Sequence, residues 1–196
     1  MSKSTTEKLQ DAAMARFAVQ GFDATTMNEI AADVGIKKPS VYAHFRNKDE
    51  LFMSLIPNIV DDELNHARQV LQGGEGIKQQ LRAYLEGIQE RFEQSHQVRF
   101  WIRTLFAPPV HLYDVVMEPM HVFMEDLERI IHQALAQSAL ARPETGLSVD
   151  TLAMTYMALI DSLQSELLFG GARKYKRRLE SVWLVFDKAV FESPKS

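Results

Sequence analysis

Cysteine is absent from this 196-residue chain, so neither a disulfide scaffold nor a zinc-thiolate site is open to it. Glycine (9) and proline (7) are too scarce for a collagenous or low-complexity chain. With 46% apolar residues the chain is also too hydrophobic to stay disordered. Long apolar runs are missing: stretches such as Val182–Phe186 fall far short of the roughly 20 residues that cross a bilayer. The opening Met-Ser-Lys-Ser-Thr-Thr-Glu has no apolar stretch of the signal-peptide kind, so a cytoplasmic location is expected. These exclusions leave a globular chain able to bury an ordinary core.

An overall excess of cations is lacking too, since the formal net charge is −4. The distribution is uneven, however. Up to Lys48, the cations Lys3, Lys8, Arg16, Lys37, Lys38, Arg46 and Lys48 outnumber the acids Glu7, Asp11, Asp23, Glu29 and Asp33 by two, which leaves −6 for the remainder. A mildly basic head on an acidic body suits a nucleic-acid contact confined to the first quarter, because phosphate attraction decays over a Debye length of about 8 Å at physiological salt.

Strand-like alternation is absent, and apolar residues recur at three- and four-residue spacing, which predicts an all-helical fold of about nine helices. The first runs from about Ser4 to Gln20, with Leu9, Ala13 and Phe17 on one face and a stop at Gly21. Thr26 followed by Glu29 is a capping-box pattern for the second, which ends near Asp33. Gly35 then turns the chain into a third helix from about Lys37 to Phe45, with Pro39 in its first turn. Asn47 with Glu50 repeats the capping-box logic and starts a long fourth helix running to Gln72, kinked near Met53–Pro57. Further helices are expected over about Ile77–Gln94, Val98–Phe106, Leu112–Leu140 (with Pro119 inside it or at a break), Ser148 to Gly170-Gly171, and Lys174–Phe191. Ala141–Leu147, with Pro143 and Gly146, reads as a loop.

A short helix, a glycine turn and a second short helix with cations at its start form a helix-turn-helix, a unit whose second helix can enter the major groove. Ile30, Ala31, Val34, Ile36, Val41 and Phe45 are spaced to pack its helices together. Thr25, Thr26, Tyr42, His44 and Lys48 supply hydroxyl, imidazole and ammonium groups near helix ends, the chemistry that positions a protein on phosphates. Tyr42 could equally lean on the core, and Lys37 and Lys38 could be solvated surface.

The stretch from Gly21-Phe22-Asp23 through Ile36-Lys37-Lys38-Pro39-Ser40-Val41-Tyr42-Ala43-His44-Phe45 to Leu51-Phe52 closely resembles the DNA-binding signature of the TetR family of bacterial transcriptional regulators. The resemblance is specific over about the first 55 residues, and the remaining helices are compatible with that family's ligand-binding and dimerisation domain. It implies a DNA-binding domain over 1–48 and a ligand-binding and dimerisation domain over 49–196. It assigns phosphate contacts to the positions of Thr26, Tyr42, Lys48 and often His44. Base reading falls to Asn28, Lys37, Lys38, Pro39, Ser40 and Ala43, where lysine can donate to guanine, asparagine can pair with adenine, and proline or alanine can touch a thymine methyl. Lys37 stands where the family commonly has a capping serine. Ala43 stands where members often have a larger side chain, which narrows direct base readout.

In the body, Leu152–Ile160 nearly encircles its helix with apolar side chains, and Leu179–Val190 covers much of the last helix, so both need cover on more than one side. The resemblance points to a twofold dimer through these two helices, with Tyr156, Leu159, Leu163, Val182, Trp183 and Phe186 as candidate interface residues. Complete burial within one subunit is the alternative. The middle helices carry Tyr84, Phe92, Phe100, Trp101, Phe106, Tyr113, Met117, Met120, Phe123 and Met124, adaptable side chains that can line a pocket for a flat or greasy effector or simply form core. His121, Asp161, Ser162 and Ser165 are the polar groups that could orient a bound molecule, although Asp161 and Ser162 could equally serve the interface. His121, Glu125, Glu128 and His132 share one helical strip that reads as solvated surface, and no metal is expected there.

No nucleophile elbow, GxGxxG or GxxxxGK[ST] motif is present, so neither enzymatic activity nor a cofactor is expected. The expected protein is a homodimeric regulator, most simply a repressor released from a palindromic operator by a small apolar or aromatic effector. A ligand-independent regulator or activator of the same fold, or a helical small-molecule binder, are the competing readings.

Overall fold

A computed structural model describes residues 3–74, 76–138, 140 and 146–191. Their helices are α1 (Thr5–Gln20), α2 (Met27–Val34), α3 (Lys38–Tyr42), α4 (Lys48–Met53), α5 (Ile56–Leu71), α6 (Ile77–Gln94), α7 (His96–Phe106), α8 (Tyr113–Ala136), α9 (Val149–Phe169) and α10 (Gly171–Phe191), with a single 3-10 turn at Val110–Leu112. The loop expected over Ala141–Leu147 lies largely outside the described residues.

Helix ends follow local chemistry. Ser4 and Glu7 form a reciprocal capping box at α1, as Thr26 and Glu29 do at α2. Gly35 takes φ 73°, a left-handed conformation that costs glycine nothing and lets the chain turn between α2 and α3. At α4 only half of the expected box forms. Asn47 accepts from Glu50 N at 2.8 Å, but the Glu50 carboxylate turns back to the Arg46 amide at 2.5 Å.

The expected long fourth helix is two helices. Pro57 has no N–H to offer the carbonyl four residues earlier, so it sits in the first turn of α5, where no such bond is needed, and a two-residue step separates α5 from α4. Ser54 closes α4 by donating its hydroxyl to the Leu51 carbonyl at 2.7 Å, and Gln10 of α1 reaches the Ser54 hydroxyl at 3.1 Å. Pro119, by contrast, is carried inside a continuous α8.

The chain forms two compact units, one of residues up to Asp61 with Gln94–His121, the other of Asp62–Glu93 with Val122 onward. In the first, α7 packs on α1 around an aromatic knot. Phe17 lies 5.6 Å from Phe22 and 5.4 Å from Phe52, and Phe100 lies 5.1 Å from Phe52 and 6.1 Å from Phe17. Each buried ring contributes roughly 1.5–3 kcal/mol by its removal from water. Arg16 of α1 ties down α2, donating to both carboxylate oxygens of Asp33 and to Glu29 at 2.9 Å.

In the second unit two tyrosines pin α9 and α10 to α6. Tyr156 donates to the Leu81 carbonyl at 2.6 Å, and Tyr175 donates to that of Leu85. Trp183 packs 5.8 Å from Phe186, with the Arg82 guanidinium 5.5 Å from its ring.

Phe100, a candidate effector contact on sequence grounds, is thus a core residue of the first unit. Phe100→Ala is expected to destabilise the protein by about 3–5 kcal/mol, as measured by denaturant unfolding; a loss under about 1 kcal/mol would contradict a core role.

Candidate nucleic-acid interface

The five residues of α3 are seated by a single buried side chain, Val41, with Phe45 just beyond the helix also buried. Every residue from Lys37 to Ser40 and from Tyr42 to His44 is exposed, as is Asn28 in the first turn of α2. Lys37, at the N-cap position, makes no side-chain cap, so its ammonium stays free to leave the helix end. Lys38 lies 5.9 Å over the Tyr42 ring, and Tyr42 is 43% exposed. His44 Nδ1 lies 3.0 Å from the Thr6 hydroxyl of α1.

Electrostatically this face is one-signed. No acid occurs between Gly35 and Lys48. Among the described residues, Asp11 pairs with Lys3, Glu29 and Asp33 with Arg16, and Glu50 with Arg46, so neither Lys37 nor Lys38 has a carboxylate partner. The Thr26 hydroxyl and amide, helped by Arg16, hold the Glu29 carboxyl below its usual range, and the Arg16 guanidinium does the same for Asp33.

Two expected phosphate contacts are otherwise employed. Thr25 is fully buried and donates its hydroxyl to the Gly21 carbonyl at 2.7 Å, so it shapes the turn before α2 and is not available to a ligand. Lys48 is half-buried, donating to the carbonyls of Phe22 at 2.7 Å and Thr25 at 2.9 Å while lying 4.1 Å over the Phe22 ring. Its ammonium latches α4 to the turn that leads into α2, with one N–H left for any anion outside. Thr26 is exposed, its hydroxyl shared between the Glu29 amide and carboxylate.

The candidate effector residues are divided between the two units. Phe100, Trp101 and Met120 are buried in the first unit, which also holds Met117, half-buried, and the exposed Phe106, Tyr113 and His121. Tyr84 is buried in the second unit, stacked 5.9 Å from His66, while Met124 and Ser165 are half-buried there and Asp161 is exposed. Ser165 donates to the Ser162 carbonyl at 3.0 Å. Two clefts of the second unit, about 500 and 540 Å³, are lined by none of these residues.

Sequence reasoning missed a buried polar group in this unit: Glu63 of α5 paired through both oxygens with Arg91 of α6. His66, one turn on, is held neutral by burial and by the Arg91 charge, its pKa pushed down to about 4. The signal was present, because Glu63 lies four residues after Ile59 and four before Ala67, on the face that α5 buries. Among the described residues, no three His, Asp or Glu side chains gather as a metal site, and His132 pairs with Asp150 at 3.0 Å.

The interface candidates also need correction. Tyr156, Leu163, Trp183 and Phe186 are buried inside their own subunit, with Leu159 and Val182 half-buried. Outward instead stand Met154 (56% exposed) and Phe169 (79%) on α9, and Leu184 (55%) and Val185 (69%) on α10. Both helices carry apolar side chains on their inner and outer faces, so composition could not tell the one from the other.

A helix-turn-helix with a cationic, carboxylate-free outer face, on an otherwise helical chain, defines the class of this protein. Residues 9–55 match the family described as "Bacterial regulatory proteins, tetR family". Similar over part of its length is the HTH-type transcriptional activator FasR of Mycolicibacterium smegmatis, 35% identical over 81 residues, or 41% of this chain and 37% of FasR. The negative transcriptional regulator IcaR of the Staphylococcus epidermidis biofilm operon icaADBC is 28% identical over 105 residues, or 52% of this chain and 54% of IcaR. The chain thus spans about half or less of the length of these relatives. The fold is that of SmeT, repressor of the Stenotrophomonas maltophilia multidrug efflux pump SmeDEF, with a TM-score of 0.71 over 98% of this chain and 93% of that one at 18% identity. The match to the tetR family covers about a quarter of this chain, and the likeness to SmeT extends the fold, though not the role, to the rest. Among the described residues, no helix is long and apolar enough to cross a membrane.

The lowered Asp33 and Glu29 carboxyls carry a pH signature. A carboxyl whose folded pKa lies below its unfolded value contributes stability that is present above the unfolded pKa, near 4, and is lost as pH falls through the folded one. Arg16→Gln is therefore expected to lower stability at neutral pH and to flatten the acid limb of the stability-versus-pH curve below about pH 4. Parallel curves for parent and variant would remove Arg16 as the cause.

Proposed function

We propose that this chain is a homodimeric repressor that places α3 of each copy in successive major-groove segments of a palindromic operator, and that a small apolar or aromatic effector releases it. The observation that carries the DNA reading is the exposed face from Lys37 to His44, which holds two cations without carboxylate partners, a tyrosine and an imidazole. Lys37, Lys38, Pro39, Ser40 and Ala43 would face base edges, with Asn28 beside them. Thr26, Tyr42, His44 and the remaining N–H of Lys48 would hold phosphates. A twofold pair would present its two recognition helices about 34–36 Å apart, one turn of the duplex.

Repression is supported by the names of IcaR and SmeT, and activation by that of FasR, so an activator of the same fold is the second reading. For release, α5 and α8 are the natural linkage, since each helix is continuous from one compact unit into the other. An effector that favours one setting of the body would thereby alter the spacing of the heads. The head over 1–48 and the body over 49–196 are the working division of labour.

Sequencing the genomic fragments retained by the purified protein tests this reading, with half-sites about one turn apart as the expected result. On such a site, Lys38→Ala should weaken binding by about 1–3 kcal/mol and relax the base preference at the position it faces, while Tyr42→Ala should weaken binding uniformly across sequences with the fold unchanged. Equal affinity of parent and both variants for the site would sink the assignment of α3. Leu184→Glu with Val185→Glu should give folded monomers that no longer bind the palindrome, read by sedimentation. Trp183→Glu, buried against Phe186, should instead unfold the second unit.

A further inference from the structure

The outer face of α9 and α10 carries a charge problem that a second copy must solve. One strip of α9 carries the exposed Met154, Ala158 and Asp161 and the half-buried Ser165; one strip of α10 carries the exposed Arg177, Ser181, Leu184 and Lys188. Asp161 therefore stands within an apolar stripe, and among the described residues it has no counter-ion. Neighbouring side chains already desolvate its carboxyl enough to raise its pKa. Arg177 has no carboxylate partner either, because Glu166 in the adjoining cleft is taken by Arg178. A copy docked over this face without a cation at Asp161 would bury an uncompensated charge.

The levels of the two helices are readable from their contacts. Tyr156 lies 5.9 Å from Phe186, and Arg178 donates to the Ser162 carbonyl at 3.2 Å, so α9 and α10 run antiparallel with Ala158 beside Leu184 and Ser165 beside Arg177. A two-helix layer can dock on its copy about a twofold axis lying in the interface either across the helices or along them. With the axis across, α9 meets α9 of the second copy, which carries no lysine or arginine to face Asp161 at any register. With the axis along, α9 meets α10 of the second copy at matching level. Ala158 then offers a hollow to Leu184, and the Arg177 side chain falls between Asp161 and Ser165.

We propose that the homodimer forms about an axis along α9 and α10, and that Asp161 of each copy pairs with Arg177 of the other. This ion pair sets the register of the interface, which apolar contacts alone leave loosely specified. The inference rests on the homodimer reading above, and it assigns Asp161 to the subunit contact, not to an effector.

Two charge-reversed proteins test it: Asp161→Arg and Arg177→Asp. Each alone would face like charges across the interface, and sedimentation should show its dimer weakened tenfold or more. Mixed in equal amounts, they should form heterodimers of near-parental affinity, since both crossings are then attractive. Both substitutions lie on exposed positions, and unchanged thermal melts of monomeric material would verify folding. A monomeric parent would overturn the homodimer reading itself. A dimeric parent with two undisturbed variants, or with weakened variants that fail to rescue each other, would overturn the pairing alone.

Discussion

A helix of five residues has no stability of its own in water, because nucleation costs more than so few backbone bonds return. The proposed reading of DNA by α3 therefore depends on how firmly the rest of the first unit seats it. Val41 is its single buried side chain, so the seat must be supplied largely from outside the helix. Phe45 anchors the chain just after it, Gly35 sets the turn before it, and Arg16 holds α2 against α1. The aromatic knot of Phe17, Phe22, Phe52 and Phe100 then joins α1, α4 and α7 into one core. With the one aliphatic side chain of α3 used inward, its remaining positions are free to be polar and cationic.

Lys48 shows how one side chain can serve seat and surface together. Its ammonium donates to two carbonyls of the segment between α1 and α2, that of Thr25 and that of Phe22, which also accepts from the Thr25 amide, and its charge lies over the Phe22 ring. Removing the charge would therefore loosen the approach to α2 as well as any contact with an anion. Thr25 lies wholly on the structural side of that division and Tyr42 on the exposed side.

The second unit follows a different rule. Several of its buried polar groups are satisfied in pairs: Tyr156 and Tyr175 on carbonyls of α6, and Glu63 on Arg91. Burial pushes the Glu63 carboxyl upward while the Arg91 charge pulls it down, and burial is the larger effect. Such a pair contributes little net stability but is costly to break, so it favours one packing of α5 against α6 over its neighbours. Outside, α9 and α10 present apolar residues where a monomer would place polar ones, which is what the proposed contact with a second copy requires.

The amino-acid sequence by itself determined the helical class, the capping of α2 at Thr26, the glycine turn at Gly35 and the cationic start of α3, because each depends on residues within a few positions of one another. It also determined the small excess of cations over acids up to Lys48. Only the tertiary structure decided that Pro57 begins a helix and does not kink one, that Thr25 and Lys48 are turned to the turn before α2, and which face of α9 and α10 is inner. Those outcomes depend on partners far along the chain: Lys48 finds Phe22, Tyr156 finds Leu81, and Trp183 finds Arg82. A periodic apolar pattern states that a helix has a side to hide, but when both sides are apolar it is the neighbouring helices that choose which one is hidden.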